Sequence, residues 1–334
     1  MNIFVDAMGG DNAPMQIVKG AVDAVNEYGV ALTLVGQEQA VKDELTKYTY
    51  PEDKITVMHA ETVIGFDEEP AMAIRRKEDS SLVVALTAMK NRENSVLISA
   101  GSTGALLAGS LLKLGRIKGI KRPALAGAIP LNGRVVLLID MGANADCKAD
   151  YLEQFALLGS VYFESVLGKK NPKVGLINIG SEEEKGSMMV KEAYQLLKKS
   201  DLNFIGNVEA KEIPTTDADV LVCDGFTGNV VLKLLEGLSS YLMKGIKTSI
   251  MGSTKGKIGG MLIKDDLRKF KNQFDADEHG GAPFLGVKGG VIKAHGSSNA
   301  YAIKNAIRQS IAFIDNDVLD KITEKLKEDK TDKE

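Results

Sequence analysis

Five times along this 334-residue chain an apolar run that reads as a buried strand stops at a turn rich in glycine and small polar residues. Each turn then passes into a helical pattern. The junctions are residues 3–14 (IFVDAMGGDNAP), 96–110 (VLISAGSTGALLAGS), 135–154 (VVLLIDMGANADCKADYLEQ), 174–194 (VGLINIGSEEEKGSMMVKEAY) and 220–237 (VLVCDGFTGNVVLKLLEG). Open parallel sheets bind ligands outside the carboxyl ends of their strands, where helix N-termini present unpaired N–H groups to anions. Five such turns, several carrying Asp, Asn, Ser or Lys, predict a shared anion-handling crevice in an α/β enzyme.

The strand candidates are residues 2–5, 32–35, 55–59, 96–98, 124–129, 135–139, 174–179, 204–208 and 220–223, with amphipathic helices between them, as at 16–28, 80–90 and 187–199. This alternation predicts a mostly parallel sheet with helices on both faces. The length suits one large domain or two ordinary ones, with a core that needs no staples. We read 1–326 as a single catalytic domain and the charged residues 327–334 as a solvated tail. Glycine, 34 residues, exceeds the usual ~7% and clusters at the turns. Two cysteines, Cys147 and Cys223, are too few for a disulfide framework, and the N-terminus lacks the charged and apolar regions of a signal peptide. Both point to reduced thiols in a cytoplasmic setting. Residues 94–112 carry no charge, but SAGSTG at their centre reads as strand, turn and helix start rather than a membrane span.

Residues 234–274 contain no strand candidate and predict a projecting helical hairpin of two helices around SIMGSTKGKIGGM. Leu234, Leu238, Tyr241, Leu242, Ile246 and Ile250 form one apolar stripe at helical spacing. Residues 244–271 hold eight Lys or Arg against two Asp, in a chain of formal charge −3. Such segregation fits an acidic partner, or equally a solvated basic face beside a dimer interface. At the tip, Ile258, Met261, Leu262 and Ile263 alternate with Lys255, Lys257 and Lys264, a mixture suited to an anionic membrane surface.

Familiar cofactor signatures are missing. There is no G-x-G-x-x-G and no G-x-S-x-G, and GSTKGKI at Gly252 is one residue short of a P-loop. His59, His279, His295 and the cysteines lack zinc-ligand spacing. The serines of the turns lack an evident paired base. Four turns remain, each with two readings. Ser102 and Thr103, in SAGSTG, cradle an oxyanion or simply cap a helix. Lys185, among three glutamates, is an anion ligand or a surface ion-pair residue. Asp224 and Asn229, on DGFTGN, offer a carboxylate and an amide, or form an N-cap. His295, in KAHGSS, is a proton donor or anion ligand, or a packed strand-end residue.

At these turns the chain resembles a known family. The strings VDAMGGDNAP, SAGSTGA, DMGANADCKADYLEQFA, NIGSEEEKG, FIGNVEA, CDGFTGNV and IKAHGSS, in this order from Asn2 to about Arg308, look like the bacterial phosphate acyltransferases. The resemblance implies a homodimeric three-layer α/β/α fold similar to the isocitrate/isopropylmalate dehydrogenases and the phosphotransacetylases. It implies acyl transfer from acyl carrier protein to inorganic phosphate, and supply of acyl phosphate to the enzyme that acylates glycerol 3-phosphate in phospholipid synthesis. It also implies peripheral association with the inner face of the cell membrane, no cofactor, no metal and no nucleic-acid partner.

Phosphate is already an anionic nucleophile and a thiolate leaves readily, so positioning and oxyanion stabilisation are expected to carry the rate. In that scheme Lys185 and Asn229 contact phosphate or the oxyanion, Ser102 and Thr103 hold an anion, and His295 returns a proton to sulfur. Asp6, Asp11, Asp140, Asn144 and Asp224 shape the cleft and orient these donors. Two other classes fit less of the sequence: an NAD- and metal-dependent dehydrogenase using the aspartates of residues 140–146, and a non-catalytic membrane scaffold that recruits acyl carrier protein.

Overall fold

The computed structural model describes the whole chain except residues 91, 132, 273–277, 279 and 332–334. The first half runs β1 (Asn2–Asp6), α1 (Met15–Tyr28), β2 (Leu32–Gly36), α2 (Glu38–Leu45), β3 (Ile55–His59), α3 (Pro70–Arg76), α4 (Ser81–Met89), β4 (Ser95–Ser99) and α5 (Thr103–Gly109). A hairpin of β5 (Ala124–Leu131) and β6 (Arg134–Ile139) follows, then α6 (Ala149–Leu167), β7 (Val174–Asn178), α7 (Met188–Lys199), β8 (Phe204–Glu209) and β9 (Val220–Val222). Next come α8 (Gly225–Met251), α9 (Thr254–Leu262), α10 (Lys264–Asn272), β10 (Ala282–Leu285), β11 (Gly290–Lys293), α11 (Ala300–Asp315) and α12 (Val318–Thr331).

The eleven strands among the described residues form one sheet in the order β3-β2-β1-β4-β11-β10-β5-β6-β9-β7-β8. Alternate side chains of each strand enter different cores. Ile3, Val5, Val96, Ile98, Leu137, Ile139, Val220 and Val222 pack with α1, α6 and α11 on one face. Phe4, Leu97, Val136, Leu138 and Leu221 pack with α4 and α5 on the other. This period of two, with helices burying both faces, makes the three layers.

The nine strands read from the sequence are present, and β10 and β11 are additional. Neither could be seen by periodicity. β10 pairs with β11 through Ala282 and Pro283 and with β5 through Phe284 and Leu285, two residues to each neighbour. The pairings of β10 with β11 and β5, and of β5 with β6, are antiparallel, while the pairs on either side of them are parallel. The parallel block around β1 and β4 therefore runs opposite to the block around β6, β9 and β7. The five expected junctions are all formed, but their turns fall into two groups at opposite edges of the sheet rather than one row.

The hairpin begins earlier than expected. Asp224 caps the N-terminus by accepting from the Thr227 N–H and hydroxyl at 2.9 and 2.8 Å, so α8 is continuous from Gly225 and extends 27 residues, about 40 Å. The return is two helices, α9 and α10, and the expected end at residue 274 lies outside the described residues. Gly256 and Gly260 of α9 let it fold onto Ile250 at the end of α8. The charged tail expected from residue 327 is helical as far as Thr331. No described helix is long and apolar enough to cross a membrane.

In α8 only Gly225 and Gly228 are buried, and they seat the helix directly on the β6 turn. A Cβ at Gly228 would lie 1.9 Å from the Asp140 carbonyl oxygen. Gly228→Ala must push α8 off the turn and is expected to destabilise the fold by about 1–3 kcal/mol, as overpacking does. Denaturant midpoints measure this; an unchanged midpoint would mean that α8 is not seated here.

Candidate functional site

The carboxyl ends of β1, β4 and β11 converge in a first cluster. Asp6, 2% exposed, ends β1; its Oδ2 accepts from the Ser99 hydroxyl at 2.7 Å and its Oδ1 from the Met8 N–H at 3.3 Å. Burial pushes the Asp6 carboxyl above the usual range, against bonds from Ser81, Ser99, Met8 and Gly9. The three turns touch through glycines. A Cβ at Gly9 would meet Gly101 N at 2.8 Å, and one at Gly10 (φ +102°) would meet Gly296 O at 2.9 Å. Asp11 is exposed, and its N–H donates to Gly296 O at 2.8 Å. Ser102 caps α5 by accepting from Ala105 N at 3.4 Å, and Thr103 opens that helix.

His295 is exposed on the β11 turn, where its Nδ1 accepts from the Ser297 N–H at 3.3 Å and lies 2.9 Å from the Ser297 hydroxyl. In the neutral ring, the N–H donated to Nδ1 places the proton on Nε2, an assignment inferred from this bond. The turn serines therefore do include one beside a possible base. The sequence reading missed it because a contact between residues two apart depends on the turn's backbone path. Phe66 borders the same turn: its ring would lie 3.4 Å from a Cβ at Gly296.

The ends of β6 and β9 form a second cluster around Asp140, which is fully buried. Its carboxylate accepts from the N–H groups of Leu125, Gly142, Ala143 and Asn144 at 2.8–3.2 Å and from the Asn144 amide at 2.8 Å. Burial raises its pKa and these bonds lower it, with burial the larger effect. Five N–H donors leave this carboxylate unsuited to a metal ion, which disfavours the dehydrogenase alternative. Asn144 carries the order onward: its amide also donates to Pro123 O at 2.8 Å, and its carbonyl accepts from Gly225 N at 2.7 Å, fixing the start of α8. Asn229, exposed on α8, stands beside Gly142, whose Cβ would lie 3.5 Å from that of Asn229.

One turn of α8 beyond Asn229, Lys233 is close enough for its charge to act on Lys293, at the end of β11. Residues four apart share a helix face. Asn229 and Lys233 therefore lie on one face of α8, and Lys233 pairs there with Glu236 at 2.8 Å. Lys185 lies on the β7 turn: the Asn178 amide donates to its carbonyl at 3.0 Å, and its exposed side chain has no ion-pair partner among the described residues. A groove of about 460 Å³ beside this turn is lined by Cys147, Lys148, Asp150, Met189, Glu192 and Leu196. The tip residues Ile258, Met261, Leu262 and Ile263 are exposed at 44–81%, and Lys255 and Lys257 lie on the same helix.

Lys293 is absent from the sequence-derived candidates, because an apolar run gives no sign that its last residue is a cation turned inward. It is 9% exposed, and its Nζ donates to Ala100 O at 3.4 Å and to Ala294 O. Burial lowers its pKa to about 8, aided by Lys233 and opposed by Asp11 and Asp6. Between about pH 8 and the ordinary value of 10.5 the unfolded chain then binds more protons than the folded one, so this group makes stability rise with pH. The rise is about 3 kcal/mol at 1.36 kcal/mol per pH unit. Urea unfolding at both ends of that window should show wild type gaining this amount on Lys293→Met. Parallel pH profiles would mean the ammonium is not buried.

Comparison with known proteins places the chain. The phosphate acyltransferase of Clostridium novyi (strain NT) is 54% identical over 323 residues, 96% of this chain and 97% of that protein. Among solved structures, a phosphotransacetylase from Streptococcus pyogenes superposes with a TM-score of 0.63 at 16% identity over 94% of both chains. A 4-hydroxythreonine-4-phosphate dehydrogenase from Klebsiella pneumoniae gives 0.55 at 11% identity, over 94% of this chain and 99% of that one. These two likenesses establish the α/β fold. Residues 1–321 match the family described as fatty acid synthesis protein, and the chain belongs to that family.

Proposed function

We propose that this protein is an acyltransferase that moves a fatty acyl group from acyl carrier protein to inorganic phosphate, giving acyl phosphate and free carrier protein for phosphatidic acid synthesis. The carrying observation is a junction of three glycine turns lined by a buried ammonium, in a chain whose thiols are both disarmed. Burial pushes the Cys147 thiol up to about 12 and that of Cys223 well above its usual value, so neither is a thiolate nucleophile near neutral pH. The incoming nucleophile then has to bring its own charge, as phosphate does. The name of the relative at 54% identity, phosphate acyltransferase, supports acyl transfer to phosphate.

In the direct route a phosphate oxygen attacks the thioester carbon, the tetrahedral oxyanion collapses, the carbon–sulfur bond breaks and the thiolate takes a proton. As imidazolium, with its Nδ1–H donated to the Ser297 hydroxyl, His295 supplies that proton from Nε2 and regains one from solvent. Asn229 and Lys185 donate to phosphate or the oxyanion, where one donor is worth ~3 kcal/mol. Ser102 and Thr103 hold the anion from the start of α5, and Asp6, Asp11, Asp140, Asn144 and Asp224 fix the turns that carry these groups. The contact between His295 and Ser297 favours a second route, in which the Ser297 hydroxyl takes the acyl group before phosphate does.

The exposed stripe of α8, with Leu234, Leu238, Tyr241 and Leu242 at 47–75% exposure, supports a homodimer through this helix. The basic segment 244–271 suits acidic acyl carrier protein, and the tip suits peripheral contact with the inner face of the cell membrane. The acyl phosphate would pass to an acyltransferase acting on glycerol 3-phosphate.

The reaction is tested by free thiol release from palmitoyl-acyl carrier protein with and without phosphate, trapping acyl phosphate with hydroxylamine. Phosphate-dependent release with trapped product is expected, and no release at any chain length would overturn the proposal. Protein mass after donor alone separates the routes: an added acyl group lost on Ser297→Ala selects the second. Lys185→Ala should lower turnover at least ~10²-fold with folding intact, the scale of losing one oxyanion donor. Near-normal turnover would remove Lys185 from the site. Raising salt should raise KM for the acyl carrier, because the attraction of the basic segment is screened; an unchanged KM would discard that docking surface.

A further inference from the structure

Lys293 stands where the turns after β1, β4 and β11 meet, and no step above uses it. Its side chain is nine-tenths buried, and no carboxylate oxygen lies within ion-pair distance among the described residues. The ammonium has three N–H groups, of which the carbonyls of Ala100 and Ala294 take two. The third has no protein acceptor among the described residues. A buried cation that is neither paired with an anion nor fully hydrogen-bonded is strongly unfavourable, and such groups persist where a site needs them.

We propose that the Lys293 ammonium is the cationic ligand of the phosphate substrate, holding it between the turns of residues 7–11, 100–103 and 294–298. This rests on the acyltransferase reading above and adds a residue that touches the substrate. The surrounding charges agree. Lys233 on α8, paired with Glu236 at 2.8 Å, adds only a small positive contribution. Asp6 is engaged by Ser99, Ser81 and backbone N–H groups, which occupy its oxygens, and it lies beyond ion-pair distance of Lys293. Asp11, exposed beside Gly296, is the opposing carboxylate and acts on Lys293 at longer range. The contacts among Gly9, Gly10, Gly101 and Gly296 bring the three backbones close together, with the Gly101 nitrogen, the Asp6 carboxylate and the Gly296 carbonyl at the junction, so that the ammonium supplies the positive charge the junction otherwise lacks.

The test compares wild type with Lys293→Met, which keeps the length of the stem, and with Lys293→Arg, which keeps the charge. In Lys293→Met, KM for inorganic phosphate should rise at least tenfold with KM for the acyl donor unchanged, and Lys293→Arg should recover part of the loss. Without turnover, inorganic phosphate should raise the melting temperature of wild type and not that of Lys293→Met. Equal phosphate KM and equal thermal shift in the two proteins would overturn the assignment. A rise in KM for the donor alone would also overturn it, moving the cation onto the phosphodiester of the carrier's prosthetic group. Should Lys293→Met not fold, reductive methylation of wild type decides: phosphate should protect Lys293 as read by peptide mass, and equal labelling overturns the proposal. Thiol release by wild type that ignores phosphate would strike the acyltransferase reading itself, whereas phosphate-dependent release with unaltered variants would strike only Lys293.

Discussion

The buried carboxylate of Asp140 holds the second half of the molecule in register. It gathers five N–H donors from the start of β5 and from the turn after β6, and through Asn144 it fixes the first residue of α8. Removing it would strand these donors without water to replace it, a cost of about 1–3 kcal/mol for each group left unpaired. The position of Asn229 and Lys233 depends on this knot, since both ride on α8. So does the direction of a helix about 40 Å long whose only buried residues are the two glycines at its start.

That helix resolves a difficulty set by the sheet. The antiparallel pairings of β10 and β5 turn the two parallel blocks against each other, so the polar strand ends cannot all face one crevice. The ends of β1, β4 and β11 form one group and those of β6, β9 and β7 another. α8 starts in the second group and carries Asn229 and Lys233 on one face. In the proposed reaction the first cluster would seat the anion and α8 would add donors from the side, a division that suits a reaction limited by positioning.

The local structural roles of several candidate residues were legible because they carry local signatures. Asp224 reads as an N-cap from its place before GFTGN and acts as one. Ser102 likewise caps α5, and the turn after β6 needs Asp140 and Asn144 for its backbone. Lys293 left no such mark: it ends a four-residue strand with glycines before it, and inward burial of its ammonium follows from neighbours nearly two hundred residues away in the chain. The partnership of Asp6 with Ser99 is hidden for the same reason. His295 was found by its polar surroundings, but its contact with Ser297 depended on the turn it makes.

The sequence by itself determined the layers. Alternating apolar strands joined by amphipathic helices can bury their faces in few ways, and nine of the strands announce themselves by local pattern. The family resemblance was likewise contained in short contiguous strings. Tertiary structure decided the rest: the insertion of β10 and β11 at the centre of the sheet, the opposed directions of its halves, and the meeting of Lys293 with the turns of β1 and β4. Strand order and strand direction arise from pairings between distant segments, and a pairing of two residues carries too little local free energy to leave a pattern in the chain.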